Sequence, residues 1–464
     1  MSQTTPTSTR SRRELHAWRN AVFVIFILSG LAMASWVARI PGVRDGLGLG
    51  KDPSAVGLLI LGLSAGAIVG LVAASPLLVR FGPHKGMVGG LFIVSAGMVL
   101  IGVGASIAHS VPLVAIGLIL LGFGNGMVDV MMNVEGTAVE REIGKTLMPL
   151  MHACFSLGTV IGAGFGAAAA ALGIDVSWHL IVTAVVIAVA IVIAVRFVPR
   201  EAELGDEVAN TPAVPFRQRM RENLAVWADW RLILIGVVML GMAFGEGSAN
   251  DWISLAVVDG HGQSNSTGAL VFGFFVAAMT LGRVLGGPLV DRIGRVLAIR
   301  ITGGLGAAGL LIFILGGPLW VVIIGTVLWG FGVSLGFPLG MSAASEGAAN
   351  PAARVSAVAI IGYCAFLVGP PVIGFLGKEF GLLNALYLVL VLLIAAFAAA
   401  GAVRPVAKPA ARTRRAQRAV AANVTAPFAR TTVATRGASR ASRTSRAKGA
   451  VGASATARSA RIMR

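Results

Sequence analysis

The sequence predicts an all-α polytopic membrane protein, with twelve transmembrane helices arranged as two pseudo-symmetric six-helix bundles. Three observations carry this expectation. Of the 464 residues, 56% are hydrophobic and only 12% are charged, with a mean hydropathy of +0.84. That leaves far too little charge for a soluble surface. Apolar runs of about 20 residues, the length that crosses a bilayer as a helix, recur through most of the chain. The later runs also repeat motifs of the earlier ones in the same order.

The spans are placed at about 20–40, 54–79, 86–106, 111–134, 147–171, 177–198, 231–257, 267–290, 297–316, 318–341, 354–377 and 382–403. Span one needs a check, because Arg10, Arg12 and Arg13 precede it and Ala32-Met33-Ala34 resembles a signal-peptidase site. The apolar run continues to Trp36 and its pattern returns later in the chain, so a retained span is expected. The 61 glycines suit close helix packing in lipid, where small residues let backbones approach. Cys154 and Cys364 each fall inside a span and indicate neither a disulfide framework nor a metal cluster.

Charge orients the spans. Of 38 Lys and Arg, only Arg39, Arg44, Lys51 and Lys378 fall in or beside outward loops when the N-terminus is inside. The reverse threading would export nearly every positive charge, against the positive-inside rule. Both termini are therefore expected in the cytoplasm and the protein in the plasma (inner) membrane. The organisation reads as a cytoplasmic N-terminal segment at 1–18, a first bundle at 19–198, a linker at 199–230, a second bundle at 231–403 and a tail at 404–464. From Arg404 onward there are 15 basic and no acidic residues, much of the net +18. Such a tail is too polar to bury a core and is expected to be disordered. Without interleaved aromatics or a folded motif it does not read as nucleic-acid binding. It reads as a topogenic extension or a contact for anionic lipid headgroups.

The internal repeat rests on several weak matches that share one order. LLGFGNG at 120–126 matches LWGFGVS at 328–334, and HACFSLG at 152–158 parallels YCAFLVG at 363–369. Ser35-Trp36 parallels Asp251-Trp252, RFG at 80–82 answers RIG at 292–294, and Glu135-Gly136 is echoed by Glu346-Gly347. Two similar halves related by an axis along the membrane normal form a transporter architecture with the binding site between them. Gly287-Pro-Leu-Val-Asp291-Arg292-Ile-Gly294-Arg295, between spans eight and nine, resembles the G-x-x-x-D-R-x-G-R loop signature of the major facilitator superfamily. Its first copy, between spans two and three, is degenerate: SPLLVRFGPHK keeps Arg80 and Gly82 but has Ser75 and Val79 in place of Gly and Asp. The resemblance covers about residues 18–403 and implies the major facilitator fold. ASWVARIPGVRDGLGL at 34–49, GNGMVDVMMNVEG and GEGSANDW at 245–252 are most similar to the MosC/YbjJ-like branch. That likeness implies rhizopine or other small polar solutes as cargo.

Acids inside apolar spans are the candidate chemistry. Asn125, Asp129 and Asn133 lie four apart and share a face of span four. A carboxylate facing lipid is costly, so this face should turn to the bundle interior, either as a cavity wall or in a structural contact, with His152 for example. Glu246 on span seven sits near mid-membrane, with Asn250 on its face and Asp251 beside it. Glu246 is the expected proton carrier, unless Arg283 on span eight holds it. Arg283 is equally suited to an anionic solute or to the Asp291 loop network. His152 and Tyr363 occupy matching repeat positions and either reach the cavity or pack. Trp36 and Trp252 either stack on a ring-shaped solute or anchor at the interface.

Glu135 and Glu346 lie at inner helix ends, near loops bearing Arg80/Lys85 and Arg292/Arg295. By resemblance to superfamily gates, such pairs would close the cytoplasmic side when the cavity opens outward. Span four lacks the Arg of the superfamily's R-x-x-Q-G pattern, with Gly122 in its place and Asn125 in that of Gln. Span five lacks the Gly-Pro of drug antiporters. No GxxxxGK[ST] or HExxH is present, so neither ATP nor a metal, and no other cofactor, is expected to drive the protein, and no enzyme activity is expected. The overall expectation is a monomeric secondary transporter of a small polar solute, with protons as the coupling ion. A drug or metabolite efflux pump and a non-transporting sensor or scaffold are the alternatives.

Overall fold

The computed structural model describes residues 10–145, 147–199, 226–346 and 351–405. Most of the expected linker and nearly all of the basic tail lie outside these residues. Eleven helices among the described residues are long and apolar enough to cross a membrane. One of them, Pro53–Ser106, has 54 residues. At 1.5 Å per residue it would be roughly 80 Å long, well over twice a hydrocarbon core of about 30 Å. It is two crossings: Gly82 adopts φ 72° and ψ 167° and turns the chain between them. Only glycine takes that backbone region without strain. Gly294 does the same between spans eight and nine, at φ 78° and ψ 161°. The RFG/RIG repeat is thus a pair of equivalent turns, and the described residues form the twelve expected crossings.

The remaining spans are Arg12–Val37, Val111–Ile143, Met148–Ala171, Val176–Phe197, Trp230–Gly260, Asn265–Ile293, Arg295–Leu315, Leu319–Ser345, Pro351–Phe380 and Leu382–Val403. Span one begins at Arg12, earlier than its apolar run. Ser11 and Glu14 form a reciprocal capping box there, Ser11 N donating to Glu14 Oε2 at 2.8 Å and Glu14 N to Ser11 Oγ at 3.3 Å. This satisfies amide groups that would otherwise stay unpaired at a helix start. Span ten is interrupted at Ser334–Leu335, and span seven ends in a π-helical turn, Ala256–Gly260.

The packing repeats between halves. Span one lies along span five and span three along spans four and six, just as span seven lies along span eleven and span nine along spans ten and twelve. The halves meet where span five packs on span eight and span two on span eleven. Arg231 on span seven donates to the carbonyls of Ala402 (3.0 Å) and Arg404 (2.5 Å). Asp229 pairs with Arg354 at the same place. These contacts gather the start of span seven, the start of span eleven and the end of span twelve at one end of the bundle, here the terminal end. The end carrying the 1–2 and 7–8 loops is the distal end.

Candidate substrate cavity

A cavity of about 350 Å³ lies between the halves, within the size range of small-molecule sites. Spans one, two, four and five wall it on one side and spans seven, eight and eleven on the other. Met33, Leu63, Phe155, Phe272 and Phe366 supply apolar surface; Ser64, Asn125, Asp129, Thr159, Glu246, Asn250, Asp251, Arg283 and Tyr363 supply polar groups.

Span four delivers its polar face through small residues beside it. A Cβ at Gly122 would stand 2.0 Å from the Leu63 carbonyl oxygen, so only glycine allows span four to press this closely on span two. Asn125 and Asp129 follow along the cavity. Ser29 Oγ donates to Asn125 Oδ1 at 2.6 Å, which orients that amide from span one. Asn133 Nδ2 donates to the Asp129 carbonyl at 2.7 Å and to its carboxylate at 3.3 Å.

Glu246 lines the cavity, but not as a free acid. Arg283 Nη2 stands 2.7 Å from Glu246 Oε1, with the two side chains 31% and 15% exposed. Arg283 therefore joins neither the Asp291 loop nor an empty anion site. Glu246 is thus paired with Arg283, the alternative that its sequence position left open beside a free proton-carrying acid. Asn250 and Asp251 lie further toward the distal end, and Asp251 has no hydrogen-bond or ion-pair partner among the described residues. Counting from Glu246 by fours selects Asn250 and passes over Asp251. The cavity reaches it because the distal half of span seven lies against span one, where Ala34 and Val37 line the same space.

Tyr363 lines the cavity, whereas His152 does not. On span five the cavity takes Phe155 and Thr159. His152 is about one turn closer to the terminal end and meets Phe26 edge-on, with ring centroids 5.4 Å apart. Trp36 and Trp252 neither face the cavity nor sit at an interface: they are 2% and 0% exposed inside their halves. Their size and equivalent places make them packing anchors of the repeat.

The residues expected to gate the inner side separate into two kinds. Glu346 meets Arg295, at 2.5 Å from Nη1, within the second half. Glu135 does not face the Arg80 loop. It is fully buried and accepts from Trp18 Nε1 at 2.7 Å, because the capped extension of span one carries Trp18 over it. Arg80 is exposed, its guanidinium 5.3 Å from the Phe81 ring. In the loop signature, Gly287, Asp291 and Arg292 are exposed and Gly294 makes the turn.

Contacts between the halves cluster at the distal end. Arg44, after span one, pairs with Asp259, in the last turn of span seven. Asn265 Nδ2 donates to Asp45 Oδ2 at 2.9 Å, and Lys378 Nζ stands 3.1 Å from Asp52 Oδ2. Nearer the cavity, Ser64 Oγ donates to the Phe366 carbonyl at 3.1 Å. Burial opposes ionisation of Arg44, but the hydrogen bonds it donates to Asp259 and Asp45 outweigh it and hold the guanidinium above its ordinary value. The sequence signal for this clamp is a set of opposite charges confined to otherwise short, apolar distal loops.

Two six-helix halves around a central cavity agree with the comparison to known families. The profile of the Major Facilitator Superfamily matches residues 20–365. The chain belongs to that superfamily. A relative, the uncharacterized transporter y4wD of Sinorhizobium fredii, is 31% identical over 373 residues, covering 79% of this chain and 93% of the relative. Membrane protein MosC of Rhizobium meliloti is 26% identical over 371 residues, 80% and 86% of the two chains. Among solved structures, a mutant of the nucleoside transporter NupG superposes with a TM-score of 0.66 at 12% identity, covering 83% of this chain and all of that one. At that identity the likeness is one of fold. This major facilitator transporter therefore carries its polar residues in the space between two superfamily half-domains.

Proposed function

We propose that the protein is a secondary active transporter that moves a small polar solute, sugar-like or inositol-like, by alternating access, coupled to protons. The observation supporting this reading most is the cavity between the halves, where Asn125, Asp129, Glu246, Asn250, Arg283 and Tyr363 converge from spans four, seven, eight and eleven. Amides, carboxylates and a phenol at mid-membrane suit a hydroxyl-rich solute, and the apolar wall excludes bulk water. In this reading both termini are cytoplasmic, so the distal end faces outward and the structure is closed on that side. The protein works as a monomer in the plasma membrane, with the basic tail against anionic lipid. The loop signature from Gly287 to Arg295, with Glu346, and on the other half Arg80, belongs to the inner-side machinery. His152 lies on the path between cavity and cytoplasm.

The test is transport by the purified protein in proteoliposomes. A thermal-shift screen over sugars, inositol derivatives, amino acids and nucleosides supplies candidates, and each stabilising solute is assayed with and without a pH gradient. Uptake stimulated by the gradient and abolished by a protonophore is the expected outcome. A stabilising solute that crosses equally well without any gradient would overturn the proton coupling, and a solute that binds but never crosses would overturn transport.

A further inference from the structure

We propose that Asp251 is the proton-binding group of this transporter, and that its proton keeps the distal end of the cavity shut. The inference rests on the transporter reading and deepens it. Four acidic or basic side chains line the cavity: Asp129, Glu246, Asp251 and Arg283. Arg283 is committed to Glu246 at 2.7 Å. Asp129 accepts from Asn133 at 3.3 Å. Asp251 alone among the three acids has no protein partner in the described residues. An unpaired carboxylate at membrane depth must face water, bind a cation or hold a proton.

Its position adds the second half of the argument. Asp251 is five residues beyond Glu246 on span seven, roughly 7 Å nearer the distal end. Eight residues further on is Asp259, which Arg44 clamps across the halves. Asp251 thus lies between the cavity and the seal. The groups around it leave it without a cation. Span one carries its charged residues near the terminal end, Arg39 just beyond it donates to the Ile174 carbonyl of the span five–six loop, and span ten has no ionisable side chain. Span twelve offers Tyr387 alone, span eleven offers Tyr363 at the cavity and Lys378 at its distal end, where it meets Asp52, and span eight offers Arg283, already paired. Arg44 faces Asp45 and Asp259. With the distal end closed, the neutral acid is the form this setting accepts. When that end opens, water reaches Asp251 and its proton exchanges with the outer side; while ionised, the carboxylate resists reclosure until it binds a proton from there.

Infrared titration of the full-length protein in lipid nanodiscs reads the proton directly. The wild type should show a protonated-carboxyl C=O band that disappears as pH rises. Asp251→Asn should lose that band, whereas Asp129→Asn and Glu246→Gln should keep it. Asp251→Glu should restore a titrating band at shifted frequency, which covers the case in which the Asn variant folds poorly. In a background with Cys154 and Cys364 replaced by Ala, spin labels at Lys51→Cys and Glu379→Cys should report a longer distal distance at high pH. That response should vanish in Asp251→Asn. A titrating band retained in Asp251→Asn, no such band in the wild type, or an unchanged distance response would each overturn the proposal. The titration needs no solute, so its failure with gradient-driven flux intact would sink this inference and leave the transporter reading standing.

Discussion

Arg44→Ala is the sharpest test of how the halves are held. Arg44 and Asp259 have side chains only 7% and 15% exposed, so solvent screens their attraction little. Removing one partner of a buried pair destabilises the state that contains it by roughly 3–5 kcal/mol. The lower figure applies here because Asp259 regains water once the end opens. At 1.36 kcal/mol per tenfold change, about 3 kcal/mol shifts the closed-to-open equilibrium roughly 100-fold. The neighbouring bridge provides an internal control. Lys378 and Asp52 are 52% and 37% exposed, and an exposed pair contributes about 0.2–1 kcal/mol, or a change of roughly five-fold at most. The assay is the rate at which a membrane-impermeant maleimide, added from outside, labels Met33→Cys in the cavity after the native cysteines are replaced. A rate for Arg44→Ala no higher than that for Lys378→Ala would refute the clamp.

Two further outcomes follow from buried groups. Glu135→Ala should lower stability by about 1–3 kcal/mol, because Trp18 Nε1 loses its buried acceptor, while Glu135→Gln, which keeps an acceptor oxygen, should lose much less. Thermal unfolding of the two variants checks this, and equal melting temperatures would return Glu135 to a role at the inner loop. Burial holds the His261 imidazole below its ordinary value of 6.5, the backbone at Phe313 and Gly316 opposing in part. The unfolded chain then binds more protons than the folded one as pH falls through 6.5. The His261 contribution is complete above that value and is lost below it, down to the folded pKa. His261→Gln should flatten this part of the melting temperature against pH, measured between about pH 7.5 and 5.5, and a parallel decline in both proteins would refute the assignment.

Much of the architecture was legible in particular residues. Hydropathy found the crossings, although it placed the start of span one at its apolar edge; the Ser11–Glu14 box, itself readable as S-x-x-E, starts the helix at Arg12. The RFG and RIG echoes marked two glycine turns, because positive φ is a local property that glycine advertises. Asn125 and Asp129 could be read as one polar face, since four-residue spacing is intrinsic to a helix.

What the sequence determined by itself, then, was the set of local and periodic features: the twelve crossings, the repeat, the turns and which helices carry buried acids. What the tertiary structure decided was the partner of each acid. Glu246 met Arg283 from a different helix, Glu135 met Trp18 from 117 positions away, and Asp251 was left facing the cavity with no partner among the described residues. The physical reason is that helical periodicity orients a side chain about its own axis, whereas ion pairing depends on how separate helices are rotated and shifted against one another. That is set by packing across the bundle, which no single stretch of the chain encodes.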